Sequence, residues 1–293
     1  MHSIRGALLF VLGVFLFACM DTTIKYLAAI WAVPVVIATR YVVHCLLMVV
    51  LLAPTRGREL LRTQRTGLVL VRAGCLAFAS LLFGLALQRM PVAEATAFLF
   101  VAPLIVVVLG AFVLGERVGT LGWLAAVAGF LGILLIARPG GGLDPVGTAL
   151  ALGTACCVSA YGLLSRVLAR TETTLAMLFY TALVGAVAYS LLAPWFWGGP
   201  APTALQVALF AGTGVCGGVG HFLFTAAHRD APASTLAPLA YAQLVFAALL
   251  GWIVFGHVPD GIAILGMGIV IAAGVMVALK ARLGAKVAAD PVE

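Results

Sequence analysis

The sequence predicts an all-α integral membrane protein: ten transmembrane helices arranged as two inverted repeats of five, with both termini in the cytoplasm. Three observations carry this expectation. Only 9% of the 293 residues are charged and 64% are hydrophobic, whereas roughly a quarter of a soluble chain is charged. Apolar stretches follow one another almost end to end. The chain also repeats itself at an offset of 141 residues.

About 20 apolar residues cross roughly 30 Å of hydrocarbon as a helix. Such stretches occupy 5–29, 33–53, 67–87, 92–114, 119–137, 146–168, 174–194, 203–226, 232–255 and 260–279. The first opens with Arg5, as a secretory signal would. It runs too far for one, and Asp21 and Lys25 interrupt its end, so it is expected to stay as an uncleaved helix. After the second comes an arginine-rich loop holding Arg56, Arg58, Arg62 and Arg65. Pro103 and Pro238 are expected to bend the fourth and ninth helices as hinges, freeing carbonyls for neighbours or water. The fifth and tenth, with Gly122, Gly129, Gly132, Gly266, Gly268 and Gly274, read as packing helices. Between the halves lies RPGGGLDP from Arg138, with Asp144 as N-cap and Pro145 as first helical residue of the sixth helix. Trp195, Phe196 and Trp197 before Gly198 and Gly199 form an interfacial aromatic anchor.

The repeat is visible in residues that a generic apolar sequence does not align. RMPVAEATAFL from Arg89 returns as RDAPASTLAPL from Arg229. At the 141-residue offset Gly6 meets Gly147, Lys25 meets Arg166, Cys75 meets Cys216, Pro91 meets Pro232, Gly110 meets Gly251 and Gly115 meets Gly256. The expected organisation is a first repeat over 1–139, a linker over 140–145, a second repeat over 146–282 and a cytoplasmic tail over 283–293. Five helices are an odd number, so the second half enters the membrane in the opposite sense. The halves are then related by a pseudo-two-fold axis in the membrane plane, the arrangement of secondary transporters that work by alternating access.

The net charge of +7 follows from topology rather than from nucleic-acid binding. With the N-terminus inside, the cytoplasmic loops collect Arg5, the four-arginine loop, Arg117, Arg166, Arg170, Arg229, Lys280, Arg282 and Lys286; outer loops hold chiefly Arg89 and Arg138. All six cysteines fall in apolar segments without CxxC or Cys/His ligand spacing, so no metal and no cofactor are expected.

These features resemble the drug/metabolite transporter superfamily, in its ten-helix EamA branch. The residues that carry the resemblance are DTTIKYLA with Lys25, PVVIATRY with Arg40, PVAEATAFLFVAPLIVVVLGAFVLGE from Pro91 to Glu116, and the weaker second copy ending GWIVFGH. The resemblance implies an exporter of small metabolites, with a central cavity lined by both halves. It includes the aromatic amino-acid exporters of this branch. Two positions depart from the pattern: His257 stands where the family often has Glu, and Asp230 stands opposite Arg89.

Charges placed in hydrocarbon cost on the order of 2.5–3.5 kcal/mol each, so Asp21, Lys25, Arg40 and Glu94 need partners or a wet cavity. Asp21 and Lys25 share a helical face, and the four are expected to neutralise one another in the outer half of the membrane. Two roles fit them, and fit His44 one turn beyond Arg40: an ion-pair network that fixes packing, or substrate recognition and gating. Ala73, Ala77, Ser80 and Gly84 form one stripe of the third helix, and Gly214, Gly218, His221 and Thr225 the same stripe of the eighth. Small residues there either bring helices close or leave room for a ligand. Imidazole facing lipid is unfavourable, so His221 is expected to line the cavity where Ser80 does in the other half. Phe98, Phe100, Tyr241 and Gln243 on the fourth and ninth helices, with Ser159 and Tyr161 on the sixth, complete the candidate substrate-binding set.

The expected function is a secondary transporter in a bacterial inner membrane that exports small metabolites, amino acids including aromatic ones foremost; organic cations or drugs and nucleotide-derived metabolites are the alternatives. The partners expected are a small-molecule substrate and membrane lipid, with no nucleic acid, in a monomer or homodimer. An ATP-driven pump would need a Gly-Lys phosphate loop, which the chain lacks. An intramembrane aspartyl protease would need two aspartates within helices, and only Asp21 lies well inside one; GxSxG and HExxH are absent. A membrane-embedded sensor or transferase is the non-transport alternative, although a sensor has no reason to keep two inverted halves.

Overall fold

The computed structural model describes residues 2–113, 120–138, 142–231 and 236–289. Gly115, Glu116, Arg117 and Pro232, together with residues 139–141 and 290–293, lie outside that set. The helices are α1 (His2–Ala28), α2 (Val33–Leu61), α3 (Thr66–Arg89), α4 (Val92–Leu99), α5 (Ala102–Val113), α6 (Thr120–Ala137), α7 (Pro145–Leu168), α8 (Thr174–Phe196), α9 (Ala204–Asp230), α10 (Ala242–Phe255) and α11 (Gly261–Ala289). A 3-10 turn, Ala237–Tyr241, leads into α10. Among the described residues, eight helical stretches are long and apolar enough to cross a membrane, and Val92–Val106 and Gly261–Met276 are shorter apolar helices. Together they make ten membrane helices.

Three elements differ from the sequence reading. Residues 54–61 do not form a loop: α2 continues to Leu61 through a kink at Arg56 (φ −136°, ψ 22°) just after Pro54. Proline removes one ladder hydrogen bond and deflects the helix; beyond it Arg58 lies in the last helical turn, while Arg56 is the kink itself and Arg62 the extended C-cap. The fourth membrane helix is broken into α4 and α5, where Phe100 N and Val101 N donate to Ala97 O and Phe98 O, both at 3.1 Å, in place of regular helical bonds. Pro103 has no N–H to continue the ladder, and Pro238 in the 3-10 turn marks the matching break in the ninth. Third, the helix begun at Gly261 runs into the expected tail as far as Ala289. Asp144 caps α7 as expected, accepting from Gly147 N at 2.6 Å.

Shifting the first half by 141 residues lays α1 on α7, α2 on α8, α3 on α9, α4 and α5 on the turn with α10, and α6 on α11. The most extensive packing is between halves: α1 with α9, α3 with α7, α2 with α8, and α6 with α11. Exchanging the halves turns the first pair into the second and leaves the other two unchanged, as a two-fold relation requires. In a bilayer such packing is driven by close approach rather than by water exclusion. At the α6–α11 contact, a Cβ on Gly132 would lie 2.8 Å from Gly266 O, and one on Gly266 only 2.6 Å from Gly132 O.

This contact yields a paired prediction. Gly132→Ala should lower the melting temperature, by roughly 1–3 kcal/mol of lost stability from overpacking, whereas Gly268→Ala on the same helix pair meets nothing within 4 Å and should keep or slightly raise it. Equal melting temperatures for both variants in detergent or nanodisc would refute the close-approach account.

Candidate transport site

A cavity of about 500 Å³ lies between the halves, lined by α1, α2, α3 and the end of α4 from the first and α7, α8, α9 and α10 from the second. Its walls are largely apolar, with Phe17, Phe83, Leu99 and Phe224 among them. Six of the candidate binding and charge-network residues line it, Asp21, Arg40, Ser80, Tyr161, His221 and Gln243, with Thr225 of the His221 stripe beside them. They come from six different helices, which is why no local motif announces the site.

Three charged side chains line it, Asp21, Arg40 and Arg72. Asp21 is 3% and Arg40 8% exposed. Asp21 Oδ2 accepts from Gln243 Nε2 at 3.3 Å. The Arg40 Nη1 donates to Ser80 Oγ at 3.4 Å, its guanidinium lies 5.0 Å from the centre of the Tyr41 ring, and its buried Nε has no hydrogen-bond partner among the described residues. Ser80 itself is held by Tyr41, whose hydroxyl is 2.8 Å away. Among the described residues, the ion pairs within 4.0 Å do not include Asp21 with Arg40. His221 stacks on His44 with centroids 5.9 Å apart and planes 12° from parallel. The stripe beside it packs closely, since a Cβ on Gly214 would lie 2.7 Å from Arg40 O.

Among the described residues none of the four membrane charges forms an ion pair within 4.0 Å with another of them; Lys25 with Glu94 and Asp21 with Arg40 interact at longer range, while Lys25 and Glu94 take their direct hydrogen bonds elsewhere. Lys25 donates to Leu87 O at 2.6 Å and Met90 O at 2.8 Å. These carbonyls at the end of α3 have no helical donor, and an ammonium is the natural cap for them. Glu94, on the first turn of α4, meets His257 Nε2 at 2.9 Å, which ties the first half to the second at the same end of the bundle. Arg138 joins Asp260 there across the halves. The Arg138 side chain and the Ala263 N–H hold the Asp260 carboxyl below the usual carboxylate range.

Four aromatic and hydroxyl candidates lie outside the cavity wall. Phe98 is completely buried in the main core. Phe100 and Tyr241, mates at the repeat offset, contact each other with centroids 4.7 Å apart, so the two helix breaks meet at the pseudo-axis. Ser159 spends its hydroxyl on Ala102 O at 3.1 Å and Ala155 O at 2.7 Å; the first of these carbonyls sits at the break that Pro103 creates.

Arg72 is the residue that the sequence reading passed over. It is buried and joins three helices: Nε to Ser165 Oγ at 2.7 Å, Nη1 to Met177 O and Thr181 Oγ1 at 3.0 Å each, and Nη2 to the Tyr161 hydroxyl at 2.6 Å. Its guanidinium also lies 4.1 Å from the centre of the Tyr161 ring. The signal was present, since Arg72 interrupts the run TGLVLVRAGCLAF and the desolvation argument applied to Arg40 applies equally to it. Glu172 is a second such residue: its carboxylate accepts from Gln64 N and Arg65 N at 2.7–3.1 Å and fixes the turn between α2 and α3.

The EamA-like transporter family model matches the chain twice, over residues 4–138 and 145–279. The chain belongs to this family. Among curated proteins, this EamA-like transporter is 28% identical over 273 residues to a riboflavin transporter of Vibrio cholerae, covering 92% of this chain and 91% of the relative. It is 28% identical to an S-adenosylmethionine uptake transporter of Rickettsia prowazekii, over 74% of this chain and 73% of that one. It is also 28% identical to the pseudopaline exporter CntI of Pseudomonas aeruginosa, over 92% and 94%. A solved crystal structure shares the fold with a TM-score of 0.65 and 22% identity, over 94% of this chain and 97% of that one. The chain is therefore a multi-pass small-molecule transporter and not an enzyme.

The Arg72 node carries a prediction. Arg72→Ala should lower the melting temperature, because the links from α3 to α7 and α8 are lost and the Tyr161 hydroxyl loses its partner, at about 1–3 kcal/mol for an unsatisfied group; Ser165 and Thr181 keep their bonds to Tyr161 O and Met177 O. Arg72→Lys should not restore it, since one ammonium does not reproduce a planar fork that reaches Ser165, Thr181 and Tyr161 together. A lysine variant as stable as the parent would contradict this role.

Proposed function

We propose that this transporter is a secondary exporter of amino acids, aromatic ones included, working by alternating access in a bacterial inner membrane with both termini cytoplasmic. The halves are taken as 1–139 and 146–282, and nothing in the reading needs more than a monomer. The observation that carries it is the separation of Asp21 and Arg40 within one apolar-walled cavity. A buried carboxylate and a buried guanidinium left apart are each costly. A zwitterion supplies both missing charges at once, its ammonium to Asp21 and its carboxylate to Arg40, with Gln243 and Ser80 holding the two side chains in place. The apolar walls accept the rest of the molecule. The export direction rests on the family resemblance and on the similarity to an exporter. The cross-half contacts Glu94–His257 and Arg138–Asp260 would open when the cavity turns to that side.

A competition assay on purified protein in liposomes checks this. Phenylalanine should inhibit flux of labelled phenylalanine roughly 30-fold better than either phenethylamine, which lacks the carboxylate, or 3-phenylpropionate, which lacks the ammonium; truncating one partner of a buried charge pair costs about 2 kcal/mol or more. Asp21→Asn should narrow the gap to the acid and Arg40→Gln the gap to the amine. Phenethylamine competing as well as phenylalanine would replace this reading with organic-cation transport.

A further inference from the structure

A second void adjoins the transport cavity. It is a groove of about 270 Å³ between α2, α8 and α9, lined by His44, Leu47, Met48 and Leu51, by Leu175 and Leu178, and by Gly218, Val219, His221 and Phe222. The two imidazoles are its only polar side chains. His221 and Leu178 line both this groove and the central cavity. At the far side Leu51 is 66% and Phe222 59% exposed, so the groove opens on the surface that faces the lipid tails.

The geometry of α2 joins the two spaces in a line. Arg40, His44, Leu47 and Leu51 stand at i, i+4, i+7 and i+11, one face of the helix. His44 follows Arg40 by about 6 Å along the axis and Leu51 by about 16 Å. The stacked His44–His221 pair sits at the threshold between them. Gly218 permits this arrangement, since a Cβ there would already lie 3.1 Å from His44 Cδ2. A cationic head-group contact and an apolar groove thus follow each other on one helix face, with the histidines between them.

We propose that this groove is the side-chain subsite of the transport site: it takes the apolar substituent of the transported amino acid, with its outer end open to lipid. The inference rests on the head-group assignment to Asp21 and Arg40. Continuity points to the occupant: the groove shares His221 and Leu178 with the cavity that holds Arg40, so an apolar substituent too large for the cavity walls alone extends past His44 and His221. The open end also sets no upper limit on the length of the substituent, so large aromatic and long aliphatic side chains fit where a closed pocket would exclude them.

The test compares flux of phenylalanine with flux of alanine in liposomes for the parent, Val219→Trp, which fills the groove from its exposed rim, and Phe222→Ala, which widens it. Melting temperatures are measured on the same preparations. Val219→Trp should lower the phenylalanine-to-alanine ratio of kcat/KM about tenfold, in line with what loss of a hydrophobic subsite does to discrimination; Phe222→Ala should not lower it. A ratio that stays at the parental value in Val219→Trp overturns the groove assignment, as does an equal fall for both substrates, which would make the groove a packing or lipid site. The head-group reading fails separately, through Asp21→Asn and Arg40→Gln variants that still discriminate as the parent does. Absence of flux for every amino acid overturns both.

Discussion

A hydrocarbon medium does not hydrate a charge or a free backbone group, and the arrangement of this molecule follows from how it meets that constraint. Each buried polar group needs a partner from within the protein. Lys25 caps the end of α3, Glu94 meets His257, and Arg72 is distributed over Ser165, Thr181, Met177 and Tyr161. These contacts fasten one helix to another at chosen heights in the membrane. Among the described residues the requirement is left incomplete at Arg40 Nε and Glu94 Oε2, among others, and the cavity beside Arg40 and Asp21 leaves room for the molecule proposed to complete the site.

The two-fold organisation turns that local arrangement into a transport site. Because α1, α2 and α3 pair with α9, α8 and α7, the central space is bounded by both halves, and each can change its tilt without dismantling the other. The helix breaks meet where Phe100 touches Tyr241, which puts the least regular backbone at the pseudo-axis and close to the cavity. At one end the halves are joined by a few side chains, among them Glu94 with His257 and Arg138 with Asp260, which on the proposed reading would part as the cavity opens to that side.

Much of this was legible in the sequence, for reasons tied to particular residues. Lipid imposes a single length scale on helices, so the ten apolar stretches could be delimited, and glycine and proline in one register revealed the repeat. Asp21, Arg40, His221 and Gln243 could be picked out because polar groups in such stretches are expensive. What sequence does not encode is which partner each group finds. Lys25 and Glu94 share an end of the bundle, yet Lys25 donates to the Leu87 and Met90 carbonyls and Glu94 Oε1 meets His257 of the other half. Phe98 and Ser159 carry the same chemistry as cavity residues, and only packing consigns them to the core and to the Ala102 carbonyl. Arg72 was missed because it lies near the start of its helix, where an arginine reads as belonging to the boundary. The extension of α2 past Pro54 was missed because proline and four arginines look like a loop when the helix has already spanned the membrane.

The account turns on Asp21 and Arg40 being kept apart for a zwitterion, and an experimental structure of the protein with a bound amino acid measures this most directly. It predicts the substrate carboxylate within hydrogen-bonding distance of the Arg40 guanidinium and the ammonium within the same reach of the Asp21 carboxylate, with the side chain directed past His44 and His221. A substrate seated elsewhere, or a direct Asp21–Arg40 ion pair that persists beside the bound molecule, would contradict it.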